Sequence, residues 1–141
     1  MSWRQWRDRL AGLLHLDESP WRTALALAVG VFISFTPFWG FQTVLALVIA
    51  TVCRLNRAVT VTGTWLNLPW FAPFIYGGAL KLGALMLPGL SGLAGISASL
   101  LVGTTTLGLG AAALTWLIAY VVMRVRRQRR RAHGDASRHA A

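Results

Sequence analysis

Residues 23–53 read TALALAVGVFISFTPFWGFQTVLALVIATVC, and the fold turns on this stretch. Its first arm, residues 23–36, is apolar over 14 positions; Pro37, Phe38, Trp39 and Gly40 interrupt it, and residues 41–53 are apolar again. As a helix rising 1.5 Å per residue the first arm covers about 21 Å, whereas the hydrocarbon core of a bilayer is about 30 Å thick. Neither arm crosses alone. Proline removes a donor and clashes with the preceding turn, and glycine permits a tight reversal, so Pro37 to Gly40 reads as a hairpin tip. A re-entrant hairpin that enters and leaves on one side satisfies both lengths; a full-crossing turn is the alternative. Basic residues precede the hairpin and Arg54 and Arg57 follow it, which puts both of its ends in the cytoplasm by the positive-inside rule.

The composition agrees with a lipid solvent. Of 141 residues, 55% are hydrophobic and 13% charged, an unusual balance for a soluble domain. No Asp or Glu occurs from Ser19 to Gly134, and the basic residues there sit mainly at Arg22, Arg54, Arg57, Lys81 and from Arg124 onward. A net charge of +10 would suggest nucleic acid in a soluble protein. Here the arginines flank apolar runs and read as topology markers, so nucleic acid is not the expected partner. Cys53 is the single cysteine, which excludes a disulfide or a cysteine metal site within one chain; it is expected to be a small buried apolar residue.

Towards the N-terminus, residues 2–16 form an amphipathic pattern with Trp3, Trp6, Leu10, Leu13 and Leu14 on one face and Arg4, Arg7 and Arg9 around it. Such a helix suits the headgroup layer of anionic lipid; packing on its own bundle or a partner is the alternative. Ser19 as N-cap and Pro20 at the first helical position then start the next helix. Basic residues ahead of an apolar run also mark secretory signals, but this run begins only after Pro20 and more membrane sequence follows, so no cleavage is expected.

Towards the C-terminus, residues 58–87 are apolar but broken by Asn67, Leu68 and Pro69 and again by Pro73. In lipid such a break survives only where protein or a wet cavity covers it. Residues 88–92 supply a short outside turn. A glycine-rich return span covers residues 93–123, carries Trp116 and Tyr120 near its end and stops at Arg124, Arg126 and Arg127. The predicted fold is therefore an all-α integral membrane protein. Residues 1–18 are an N-terminal amphipathic interfacial helix, and residues 19–123 are a membrane domain of one re-entrant helical hairpin, one broken span and one return span. Residues 124–141 are a basic, disordered cytoplasmic tail. The expected location is the bacterial cytoplasmic membrane, multi-pass, with both termini cytoplasmic. There is also a hint of internal symmetry: residues 30–40, GVFISFTPFWG, and 63–74, GTWLNLPWFAPF, each run from a glycine through a polar residue and a proline to aromatics. Matched interruptions of this kind are the pointer to an inverted-repeat site near the midplane, although chance similarity between apolar stretches explains them equally well.

The stretch over residues 19–83, SPWRTALALAVGVFISFTPFWGFQTVLALVIATVCRLNRAVTVTGTWLNLPWFAPFIYGGALKLG, resembles the bacterial membrane domain of unknown function 2062. The residues that carry the resemblance are Ser19-Pro20, the approach from Gly30 to Pro37, Gly40 with Gln42, Leu55-Asn56-Arg57, Thr64 to Asn67, Pro69, and Tyr76 to Gly83. It extends to about Gly89, roughly half of the chain. The resemblance implies a small cytoplasmic-membrane protein. Members are sometimes fused to glycosyltransferase domains, which suggests a link with envelope glycan or lipid-carrier metabolism.

The candidate ligand-binding residues are Thr36, Pro37, Gly40, Gln42, Thr64, Asn67, Pro69 and Lys81, with Trp39, Trp65, Trp70 and Tyr76 as aromatic walls. Gln42 and Asn67 each open a half-helix, where unpaired N–H groups and the positive dipole end favour phosphate or carboxylate. The alternative is that both side chains only satisfy the broken backbone or bond each other. Lys81, the one charge between Arg57 and Arg124, is a candidate because an ionisable group within a span is costly; snorkelling to an interface is its plainer role. Trp3, Trp6, Arg124, Arg126 and Arg127 are expected at the membrane interface. Gly77, Gly78, Gly83, Gly103, Gly108 and Gly110 suit close helix packing. His15, His133 and His139 have no partners at ligand spacing, and no metal, cofactor or catalytic set is expected. The expected role is transport or carriage of an amphiphilic anion such as a phosphorylated lipid in envelope biogenesis, not catalysis. The alternative is a non-transporting adaptor that recruits a cytoplasmic enzyme or grips anionic lipid. Expected partners are anionic lipids and either a second copy or another membrane protein.

Overall fold

The computed structural model describes residues 19–38, 40–65 and 70–139. The described residues form helices and no strand: α1 (Pro20–Phe35), α2 (Gln42–Val52), α3 (Arg57–Thr64), α4 (Ala72–Met86) and α5 (Gly92–His139). The expected helix over residues 2–16, with Trp3 and Trp6, lies outside the described residues.

Local chemistry sets the helix starts. Ser19 is an extended N-cap with Pro20 at the first helical position, as the sequence predicts, but its hydroxyl makes no cap bond. Its carbonyl instead accepts from the backbone N–H groups of Arg22 and Thr23 at 3.0 and 3.2 Å. Asn56 is the better cap: its Oδ1 accepts from the Val59 N–H at 3.2 Å and starts α3. Pro73 was expected to break its segment, yet it sits in the first turn of α4, where a helix has no intrahelical use for the missing N–H. The turn between α1 and α2 runs through Gly40 at φ +89°, a conformation that a Cβ disfavours.

α5 packs along both α1 and α4, and α3 packs against α1 and α2. Glycines let backbones meet at two of these crossings. Where α1 crosses α3, a methyl on Gly30 would overlap the Thr60 carbonyl oxygen, and one on Gly63 would sit 2.6 Å from the Leu27 carbonyl oxygen. Each glycine therefore presses on the carbonyl three residues before the other. The α4–α5 crossing repeats the device, with Gly83 against the Ser99 backbone and Gly103 against the Ala79 backbone. Gly108 meets the ring of Phe32 and the Cβ of Phe35, and Gly78 comes only within 4.0 Å of Leu107, whereas Gly77 and Gly110 face open space.

Close approach leaves room only for small side chains inside. Ala24, Ala26, Ala46, Ala50 and Ala79 are fully buried, while Trp70, Phe74, Leu85 and Leu93 lie outside. That distribution is the reverse of a water-soluble domain, where large apolar side chains fill the core. The span from Gly92 to Arg129 is long and apolar enough to cross a membrane, and only 6% of its most apolar stretch is buried within the protein.

Two further expectations differ from the structure. α5 does not end at Met123 but continues as helix through the arginines to His139, where the sequence suggested disorder. Arginine, alanine and glutamine are good helix formers, and extending a nucleated helix adds a hydrogen bond for each residue fixed. Cys53, expected to be buried, is exposed at the C-cap of α2, just before the chain turns in to bury Leu55 and Asn56.

Candidate functional site

The break between α1 and α2 builds a polar junction inside apolar surroundings. The last carbonyls of α1 have no helical partner and must be met from elsewhere. Thr36 turns back on the helix: its N–H and its hydroxyl both donate to the Ile33 carbonyl, at 3.0 and 2.6 Å. Gln42, in the first turn of α2, donates from Nε2 to the carbonyls of Ser34 and Thr36 at 3.3 and 3.1 Å. Tyr76 of α4 then donates its hydroxyl to the same Thr36 carbonyl at 3.4 Å. One carbonyl thus receives donors from two other helices and links the first break to the helix that follows the second.

The candidate residues divide around this junction. Thr36 and Gln42 are in it, joined by Tyr76; Pro37 is half-buried and Gly40 exposed in the turn beside them. Thr64 is buried at the end of α3, where its hydroxyl donates to the Val61 carbonyl at 2.7 Å, so it serves its own helix. Lys81 is exposed on α4. Trp65 and Trp70 are 69% and 82% exposed, too open to wall a polar site. Trp39, Asn67 and Pro69 lie outside the described residues. For Gln42 the geometry is that of a side chain satisfying broken backbone.

Concave surfaces, both apolar and basic, lie along the seam between α1 and α5. The first is an apolar groove of about 460 Å³ lined by Leu27, Val59, Ile118, Val122 and Met123 among others. It shares Leu27 and Thr115 with a second hollow of about 360 Å³ that reaches Trp65 and Phe71. The basic surface is an open cleft of about 460 Å³ between the start of α1 and the basic part of α5, lined by Pro20, Trp21, Tyr120, Arg124, Arg127, Gln128 and Arg131. Tyr120 stacks on Trp116 at 5.4 Å with the planes 4° apart, which holds the phenol ring at the cleft wall. Arg22 does not line it; its guanidinium donates to the Arg54 carbonyl at 2.6 Å and ties the start of α1 to the end of α2.

The sequence reading missed Trp21, Gln128 and Arg131 as members of one surface. Their signal was the recurrence of Tyr120, Arg124, Arg127 and Arg131 at helical spacing, visible only if residues 124–131 are read as helix. Arg126, grouped with Arg124 and Arg127 as an interface residue, does not line the cleft. Among the described residues, no group of three or more His, Cys, Asp or Glu converges to hold a metal.

These features define a class: a small all-helical protein, inverted in its packing, whose longest helix is apolar enough to cross a membrane. Within that class, the chain belongs to the family described as an uncharacterized protein conserved in bacteria (DUF2062), whose family model matches residues 3–132. The match is wider than the stretch that carries the resemblance, since it takes in the N-terminal segment and most of the arginines of α5. No curated protein matches the chain, and no solved structure does.

Proposed function

We propose that the chain is a multi-pass protein of the bacterial cytoplasmic membrane, both termini cytoplasmic, that binds and carries an amphiphilic anion of the phosphorylated-lipid class in envelope biogenesis. One observation carries the reading: the Thr36 carbonyl, accepting from Gln42 and Tyr76, gathers helices too short to cross a bilayer singly around one polar point. α1, the longest of the three, has 16 residues and spans about 24 Å. Broken helices that meet at a polar junction are the arrangement by which membrane carriers hold polar cargo at mid-depth. The reciprocal contact of Gly30 with Gly63 supports it, because those glycines head the two matched stretches of sequence. The apolar groove beside α1 and α5 offers a place for a lipid chain.

Cysteine scanning tests this. In a Cys53→Ser background, single cysteines through residues 36–42 and 65–73 are challenged with a charged maleimide in sealed vesicles. Labelling at these positions supports a carrier. Full protection throughout, together with unchanged lipid movement in a folded Gln42→Ala protein, removes the reading.

The adaptor reading is favoured by one feature, the continuation of α5 from Met123 to His139. Those residues form a helical arm of about 24 Å beyond the apolar part. Deleting residues 132–141 should release a cytoplasmic partner if the chain is an adaptor and leave lipid movement intact if it is a carrier.

A further inference from the structure

We infer that the cleft between the start of α1 and the basic part of α5 is a phosphate site for a lipid headgroup. Three arginines, Arg124, Arg127 and Arg131, share it with Gln128, so charge-assisted donors converge on one space of about 460 Å³, ample for a phosphate ester. Arg127 is half-buried there, which lowers the screening of its charge relative to an open surface. Pro20 and Trp21, the first residues of α1, form the opposite wall, so the positive end of that helix's dipole adds to the same field. Arg22 does not line the cleft, its guanidinium donating to the Arg54 carbonyl, so among the described residues the guanidinium groups on the cleft wall are those of α5.

Position selects a lipid over a soluble anion. Val121, Val122 and Met123 end the apolar run of α5 one residue before Arg124, and Trp21 is 51% exposed beside the cleft. Indole and phenol rings next to arginines, at the point where an apolar helix surface ends, match the headgroup layer. A chain attached to a phosphate held here would continue along the apolar surface of α5. The choice of a lipid rests on the membrane location proposed above, whereas binding of a phosphate at the cleft does not depend on carriage. The cleft is also more than topology-setting charge. Arg126 and Arg129 carry the same charge in the same turns yet do not line it.

That contrast supplies the test. The purified full chain in neutral detergent is titrated with dioctanoyl phosphatidic acid, with dioctanoylglycerol and with inorganic phosphate, and binding is read by native mass spectrometry and by tryptophan fluorescence. The phosphatidic acid should saturate at one per chain and bind far more tightly than either partial probe. Arg124→Gln with Arg127→Gln should weaken it by roughly tenfold per arginine, as the loss of charge-assisted hydrogen bonds does, while Arg126→Gln with Arg129→Gln should change it by less than about threefold. Equal losses in the two pairs would reduce the cleft to general surface charge and overturn the inference. Inorganic phosphate binding as tightly as the lipid would overturn the lipid assignment, and so would preferential, steeply salt-dependent binding of single-stranded RNA. Helix content measured on both pairs separates these outcomes from misfolding, since Arg124, Arg126 and Arg129 are exposed. A chain that binds the probe here but never moves lipid would sink the carrier reading and leave the site intact.

Discussion

Replacing Gly30 by alanine should pry α1 from α3. The added methyl would overlap the Thr60 carbonyl oxygen and lie 2.9 Å from the Gly63 Cα and 3.0 Å from the Thr60 carbonyl carbon. All three are backbone atoms, so no side-chain rotation relieves the clash. Carbon contacts settle at about 3.5–4.0 Å, so α3 must retreat by roughly 1 Å, and a gap of that size forfeits up to about half of each neighbouring contact. Overpacking costs about 1–3 kcal/mol, and a rigid backbone neighbour belongs at the top of that range. Alanine returns about 1 kcal/mol in helix propensity. The net is about 2 kcal/mol of destabilisation, roughly a 30-fold shift in the folding equilibrium. Gly110→Ala is the matched control, because nothing lies within 4 Å of its added methyl, and it should stabilise by up to about 1 kcal/mol. Unfolding in mixed micelles of rising dodecyl sulfate content, read by far-ultraviolet circular dichroism, measures both. If Gly30→Ala proved as stable as Gly110→Ala, the backbone contact between α1 and α3 would be refuted.

Gln42→Ala removes one donor each from the Ser34 and Thr36 carbonyls and should cost about 1–3 kcal/mol in the same assay, since both acceptors lose a hydrogen bond in a partly buried place while Thr36 keeps that of Tyr76. Gln42→Glu should cost more, because a carboxylate would face two carbonyl oxygens; a variant as stable as the parent would show that the junction contributes nothing. Asn56→Ala should lose about 1 kcal/mol through the missing cap on α3, with Asn56→Ser recovering most of it. Cys53, exposed beside Arg54, should react with a charged maleimide added to inverted membrane vesicles but not to intact cells treated so that only the outer face is reached. Labelling from outside would reverse the proposed orientation.

Much of the helical pattern was legible because it rests on local rules. Pro20 can only begin a helix, the Pro37-to-Gly40 interruption can only end one, and the apolar arms between such marks have helical length; α1 and α2 lie where those signals put them. Asn56 before an apolar run was an N-cap signal that went unused. Pro73 and the arginine-rich tail misled, for opposite reasons: a proline is tolerated in a first turn, and charge alone does not stop a helix that has already begun.

What the sequence determined by itself, then, was an all-helical chain with its apolar segments, their interruptions and the bias of its charges, since each follows from neighbours within a few turns. Tertiary structure alone decided which interruptions meet. That Thr36 shares its carbonyl with Tyr76, that Gly30 rests on Gly63, and that Trp21 and Arg124 line one cleft depend on contacts between residues 33 to 103 positions apart. No local preference encodes those distances; they arise from close packing of small-residue faces, which fixes where every remaining polar group must find a partner.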